Sequence, residues 1–403
     1  SAATTPHKLP AMTHALTRRA LLGAGLFGLV CCGQPPPATG NKIPSGTSNT
    51  PRLRLIGEAT LPHRMDFQGT VVGGLSGIDY DPASGLYVLV SDDRSQLNPA
   101  RFYTARIALT ATGLGTPVLH SVTPLLRADG SPFPNSRRAQ AHEEVPDPEA
   151  IRWLPGGNLL WTSEGTVTRG MGPALHESQP DGRWVRNITL PAMFDANLGG
   201  GTGPRDNQTL EGLALTPDGR TAWLAMEDAL IQDGPLPRIG AVGGPCRITA
   251  MDVASGRVLR QIAYVLDPIP ARGPLPGVIP PTVYADNGIS EVLMQDAHQM
   301  LVLERAYVMG QGNSLRLYRI DTRAGTDTLA LPQLTAANHQ PAPKTLVADF
   351  ATLGLSRLDN TEGMTWGPAL QHGNRSSRTL VVVSDDNFRS AQTTQFAAFE
   401  FIE

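Results

Sequence analysis

Five copies of one hairpin-forming segment run along the chain, and this repetition restricts the fold more than any other feature. Residues 74–81 lead to 85–92, 148–153 to 157–164, 210–215 to 220–227, 289–294 to 299–304, and 360–366 to 378–385. Each copy reads as a short strand opening on Glu or Ser, a turn of the Pro-Asp-Gly kind, and an apolar strand followed by a carboxylate. The second strand of each pair is almost wholly apolar, as in Leu86-Tyr-Val-Leu-Val90, so it is expected to be buried on both faces with a neighbour on either side. Alternating strands downstream, at 101–109, 247–253, 258–265 and 314–321, bring each unit to four strands.

The repeated position, read as Ser76, Glu149, Glu211, Glu291 and Glu362, recurs at spacings of roughly 60 to 80 residues, which leaves room for long inserted loops. The expected fold is therefore all-β, a β-propeller of five blades with four strands each. A sixth, degenerate blade is the alternative, with 110–145 and 266–288 as the segments that would hold it. The last strand, 395–402, lacks a fourth partner in its own unit, and 53–61 can supply it. Closing the ring between the two ends removes open sheet edges. Gly and Pro number 42 and 35 and charged residues make up 17%, a turn-rich composition without long amphipathic helices.

Ahead of the propeller at 53–403, residues 1–33 read as a leader. Thr17-Arg-Arg-Ala-Leu-Leu22 resembles a twin-arginine export signal, and the apolar run behind it is too short to cross a membrane. Cys32 sits in a loose lipoprotein-type box, and a lipid there would be the only link to a membrane; signal-peptidase cleavage without lipid is the alternative. Residues 34–52, rich in Pro, Gly, Ser and Thr, read as a flexible tether. The expected location is the periplasm or the cell envelope, and the expected state is a monomer. Past the leader Cys246 stands alone, so no intramolecular disulfide is expected. A net charge of −3 without a basic run disfavours nucleic acid as a partner.

The carboxylates exceed what a structural repeat needs. First strands open on Glu149, Glu211, Glu291 and Glu362; second strands end at Asp92 and Asp93, Glu164, Glu227, Glu304, and Asp385. Strand start and strand end are neighbours in an antiparallel hairpin, so a propeller gathers these groups at one mouth of its channel. Such a ring repels itself unless cations neutralise it, and oxygen donors without paired His or Cys suit Ca²⁺ rather than zinc. Arg94 and Arg305 recur beside the same strand ends and suit an anionic ester. Glu211 and Glu362 are candidate general bases for cation-assisted hydrolysis. The structural alternative is that these Glu residues lock neighbouring blades and the arginines merely pair with them. Ser76 interrupts the ring of Glu and marks the expected point of substrate entry.

Other positions read more plainly. The acidic segment 142–149 is a solvated loop or a second cation site. Trp153, Trp161, Trp223 and Trp366 are expected in the core, and His63, His120, His176, His339 and His372 in loops. There is no G-x-S-x-G elbow, and Gly74-Leu-Ser-Gly77 belongs to the repeat.

The run Asp206-Asn-Gln-Thr-Leu-Glu-Gly-Leu-Ala-Leu-Thr-Pro-Asp-Gly219, with Asp359-Asn-Thr-Glu-Gly-Met-Thr-Trp366, Leu75-Ser-Gly-Ile-Asp79 and Leu380-Val-Val-Val-Ser-Asp-Asp-Asn-Phe388, resembles the bacterial phytase-like proteins with esterase-like activity. The resemblance spans about residues 53–402. It implies an exported β-propeller that hydrolyses esters or phosphoesters, without a defined substrate. A non-catalytic propeller that binds a ligand or protein, its carboxylates serving structural calcium, is the competing expectation.

Overall fold

The computed structural model describes residues 50–141, 143–270 and 283–403. The leader, Cys32, most of the tether and His142 lie outside the described residues. Five four-stranded antiparallel sheets follow one another along the chain as the blades of a propeller, settling the choice between five and six. Blade 1 is built from Leu75–Asp81, Leu86–Ser91, Arg101–Arg106 and Val118–Pro124. Blade 2 comprises Pro148–Trp153, Leu159–Ser163, Ala174–Ser178 and Trp184–Ile188, and blade 3 Leu210–Leu215, Thr221–Met226, Cys246–Asp252 and Val258–Tyr264. Blade 4 has Ala285–Met294, Gln299–Val308, Gly312–Asp321 and Lys344–Asp349. In blade 5 the chain supplies Asn360–His372, Arg375–Asp385 and Gln395–Ile402, and Arg52–Thr60 adds the outer strand. Of the two segments that could have hidden a sixth blade, 110–145 instead carries the outer strand of blade 1.

The ring closes where Arg52 pairs with Ile402 and Thr60 with Gln395. Five apolar clusters hold the blades together, one per seam. Val88, Val90, Ile151 and Trp161 join blades 1 and 2; Leu160, Leu213 and Leu224 join 2 and 3; Ile248, Ile262, Val292 and Val302 join 3 and 4. Leu301, Leu317, Leu380 and Phe399 fill the seam between 4 and 5, and Ile78, Leu89, Val383 and Phe396 that between 5 and 1. The second strands are buried on both faces because each lies inside its own sheet and between two others. Trp161 and Trp223 lie in this core, while Trp153 and Trp366 are only partly covered.

On the axis, Arg152 donates to the carbonyls of Ile78, Ile151, Leu213, Val292 and Met364, one from each blade. It also pairs with Glu291 at 2.7 Å. One buried guanidinium thus ties all five inner strands together across the channel.

Three histidines expected in loops lie in strands. His120 is in Val118–Pro124, His372 ends Asn360–His372, and His176 is buried in Ala174–Ser178 with its ring stacked 4.1 Å from that of Trp161. A histidine with an aromatic partner on one face and Asn187 at 2.8 Å is readily accommodated in a strand.

Candidate active site and cation cluster

Each inner strand carries a bulge at the same place, near its first residues. The pairing shifts between Leu75 and Gly77, Pro148 and Ile151, Leu210 and Gly212, Ile289 and Glu291, and Thr361 and Gly363. A bulge leaves a residue outside the ladder and re-aims its side chain. The equivalent bulged residues are therefore Ser76, Glu149, Glu211, Ser290 and Glu362. In blade 4 this differs from the sequence reading by one position. Ser290 occupies the ring position, whereas Glu291 turns onto the axis to meet Arg152 and accepts from Leu213 N at 2.9 Å.

The second strand of blade 4 shows the same one-residue difference. Ser91, Ser163, Met226, Glu304 and Ser384 face the equivalent residue of the inner strand, so the ring of strand ends consists of Asp92, Glu164, Glu227, Arg305 and Asp385. Glu304 leaves the ring and is held by Tyr264 Oη at 2.6 Å and Lys344 Nζ at 2.5 Å. Arg305 takes the place of a carboxylate. It donates to Glu227 at 3.2 Å and lies 3.7 Å from Glu362, placing the cluster's own cation among the acids.

These residues line a cavity of about 1020 Å³ at one end of the ring. Glu149, Glu211, Glu362, Asp92, Glu164, Glu227, Arg94 and Arg305 all reach it. Asp93 also reaches it, but its oxygens accept from the backbone of Gln96, Leu97 and Asn98 and from Arg101 at 2.8 Å, which folds the loop after blade 1's second strand. Asp385 is buried beside the cavity, accepting from Asn387 N at 2.8 Å and from Asn360 at 3.3 Å. Ser76 is buried too, and its hydroxyl donates to Pro148 O at 3.1 Å, stitching blade 1 to blade 2 rather than opening an entrance.

Asp147, part of the segment read as a loop or separate site, belongs to the main cluster. It stands two residues before Glu149 as Asn360 stands before Glu362, a signal present in the repeat. Arg94 pairs with it and also donates to Asn207. Two overlapping triads, Asp147–Glu149–Glu164 and Glu164–Glu211–Glu227, bring carboxylate oxygens within 4.8 Å of one another. Buried oxygens this close could hold a metal ion.

The electrostatics point the same way. Burial, followed by neighbouring carboxylates, raises the proton affinity of Asp92, Glu149 and Glu211 well above the ordinary range. Burial does the same for Glu164 and Glu227, although Arg305 opposes it at Glu227. Asp147 is pushed up by burial to about 6 despite Arg94. No described protein group donates a hydrogen bond to the carboxylates of Asp92, Glu149 or Glu211. Backbone strain also gathers here: Arg64, Asn207, Asn387 and Phe388 line the cavity with φ between 46° and 56°, the left-handed region that bulky side chains avoid.

The description "esterase-like activity of phytase", that of the phytase-like family, matches residues 70–388, most of the chain and all five inner hairpins. The chain belongs to the phytase-like family. No curated protein of related sequence was found. Among solved structures, the catalytic domain of a Coprinopsis cinerea GH62 α-L-arabinofuranosidase aligns with 87% of this phytase-like chain and 96% of its own, at 10% identity and a TM-score of 0.42. A gluconolactonase from Xanthomonas campestris covers 87% and 94% at 13% identity and 0.32. Regucalcin from Agrobacterium tumefaciens, described as a calcium-binding protein, covers 86% and 96% at 12% and 0.35. Scores this low transfer neither substrate nor chemistry to the phytase-like chain.

Proposed function

We propose that the protein is an extracytoplasmic hydrolase of esters or phosphoesters, assisted by a divalent cation, with Ca²⁺ the favoured ion. The observation that carries this reading is the meeting of Asp92, Glu149 and Glu211, all without hydrogen-bond donors among the described residues, at one cavity flanked by Arg94 and Arg305. Asp147, Glu149 and Glu164 would hold the cation, an all-oxygen set suited to a hard ion. When bound, the cation would polarise the ester oxygen and acidify a water. Glu211 lies in the triad across Glu164 and is assigned the role of general base. Burial and the neighbouring carboxylates raise its proton affinity, which makes its ionised form a stronger base than an ordinary carboxylate. Arg94, held by Asp147 and Asn207, presents its guanidinium to the anionic part of the substrate.

The test is hydrolysis of 4-nitrophenyl acetate and 4-nitrophenyl phosphate by the purified full chain, with EDTA and after restoring excess Ca²⁺. Turnover should vanish with chelator and return with the ion, and Glu211→Gln should lower kcat by about 10²–10⁴-fold. Equal rates with and without chelator defeat the cation-assisted reading. Absence of turnover combined with a Ca²⁺-dependent rise in melting temperature instead supports a non-catalytic propeller with structural calcium.

A further inference from the structure

Blade 4 is built differently from the other four at the cavity end. In blades 1, 2, 3 and 5 the inner hairpin stops at the ring, at Leu75–Ser91, Pro148–Ser163, Leu210–Met226 and Asn360–Asp385. In blade 4 the pairing continues beyond Ile289–Glu304 through Gly288–Arg305, Asn287–Ala306 and Asp286–Tyr307 to Ala285–Val308, and a third strand joins by pairing Val308 with Gly312. Four further residues at about 3.3 Å each raise a wall on the order of 13 Å above the ring.

The wall has two chemically distinct faces, as strand alternation requires. Ala285, Ala306 and Val308 turn outward and pack against Ile239 and Ile269. Tyr284, Tyr307 and Met309 line the cavity. The two tyrosine rings lie 6.2 Å apart, Asp286 accepts from Tyr307 N at 3.1 Å, and Tyr284 and Met309 remain 56% and 57% exposed. Among the described residues nothing covers this apolar and aromatic surface beside the buried acidic cluster.

The opposite side sets arginines among its acids. In a five-membered ring one blade faces the seam between two others, so blade 4 faces the seam of blades 1 and 2, where Arg94 meets Asp147. Arg137, from the loop crossing that seam, lines the cavity and is exposed; Arg64 and Arg389, which follow strands of blade 5, also line it and are exposed. No described ion pair or hydrogen bond engages the guanidinium of Arg64, Arg137 or Arg389.

We infer that the cavity takes an amphiphilic anionic ester, whose flat apolar or aromatic group lies on the Tyr284–Tyr307 wall while its charged group faces Arg94 and Arg137. This inference rests on the proposed hydrolase reading for the ester bond but not for the binding mode, so the two can fail separately. Titration calorimetry of the full chain in Ca²⁺ with benzylphosphonate and methylphosphonate, neither of them hydrolysable, isolates the contribution of the wall. Benzylphosphonate should bind about three- to tenfold more tightly, the range expected for one aromatic contact. Tyr307→Ala and Tyr284→Ala should bring its affinity down toward that of methylphosphonate, Tyr307→Phe should keep the preference, and Arg137→Gln should weaken both ligands alike. Equal affinity for the two ligands, no binding of either, or a preference that survives both alanine variants overturns the inference. Discrimination between the ligands in a protein that turns over no ester overturns the hydrolase reading alone.

Discussion

At Arg152 the planar guanidinium spends its donors on carbonyls from all five blades and on the Glu291 carboxylate. Replacing it with Leu leaves Glu291 buried and uncompensated, a situation that costs about 3–5 kcal/mol. Arg152→Leu should lower the unfolding free energy from denaturant titration by that amount, and Arg152→Leu with Glu291→Leu should recover part of the loss. Full loss in the double variant would show that the carbonyl contacts, not the ion pair, dominate. The register in blade 4 gives a second prediction. Glu164→Gln should weaken Ca²⁺ binding at least tenfold, whereas Glu304→Gln should leave it unaltered, because Glu304 is committed to Tyr264 and Lys344. Equal effects in calorimetry would refute the assignment of Arg305, not Glu304, to the ring. Sequence comparison alone aligned Glu291 and Glu304 with their acidic counterparts because both differ from the correct register by one residue. Only the bulge and the pairing reveal that Ser290 and Arg305 occupy those positions.

Among the elements, the bulged inner strand and the closing outer strand matter most. The bulge brings neighbouring inner strands so close that the next residue has little room in several blades. A Cβ at Gly77 would sit 2.6 Å from Glu149 O, and one at Gly363 2.8 Å from Ser76 O. The Glu-Gly and Ser-Gly pairs of the repeat therefore join a cavity-facing side chain to a close backbone approach. The strand Arg52–Thr60 covers the edge of Gln395–Ile402, and Arg54 binds Glu400 at 2.7 Å. A chain beginning after residue 61 should expose that edge, and size-exclusion chromatography should then show aggregation or swapped dimers. A monodisperse monomer of unchanged melting temperature would contradict the closure. Strand number, the hairpins and this ring closure were legible in the sequence, since the apolar second strands and turn residues are local signals. The raised wall of blade 4 was not legible, because the pattern of 285–288 resembles a loop until Tyr307 and Val308 pair with it.

For the whole molecule, gathering carboxylates at one mouth links folding to protons and cations. Burial raises Asp92, Glu149, Glu164, Glu211 and Glu227, puts Asp147 at about 6 and lifts Asp228 to about 8. The folded chain therefore keeps protons that the unfolded chain releases above its ordinary carboxylate range of about 4 to 4.5, and cation-free stability must fall as pH rises. The melting temperature without Ca²⁺ should decline from about pH 5 to pH 8, and Ca²⁺ should flatten the decline by replacing those protons. A cation-free melting temperature that rises over this interval would mean that the acids are already neutralised by the protein.

The local pattern of apolar strands, turns and terminal carboxylates determined by itself that this chain forms repeated four-stranded sheets and concentrates acid at one end, because hairpins depend on neighbours in sequence. Which acids share the cavity was decided only by the tertiary structure. Bulge register turns a side chain toward the mouth or the axis, and the blade opposite supplies its partner. Thus Glu291 became the partner of Arg152, Asp147 joined Glu149 and Glu164, and Tyr284 with Tyr307 came to line the same cavity as Arg94 and Arg137.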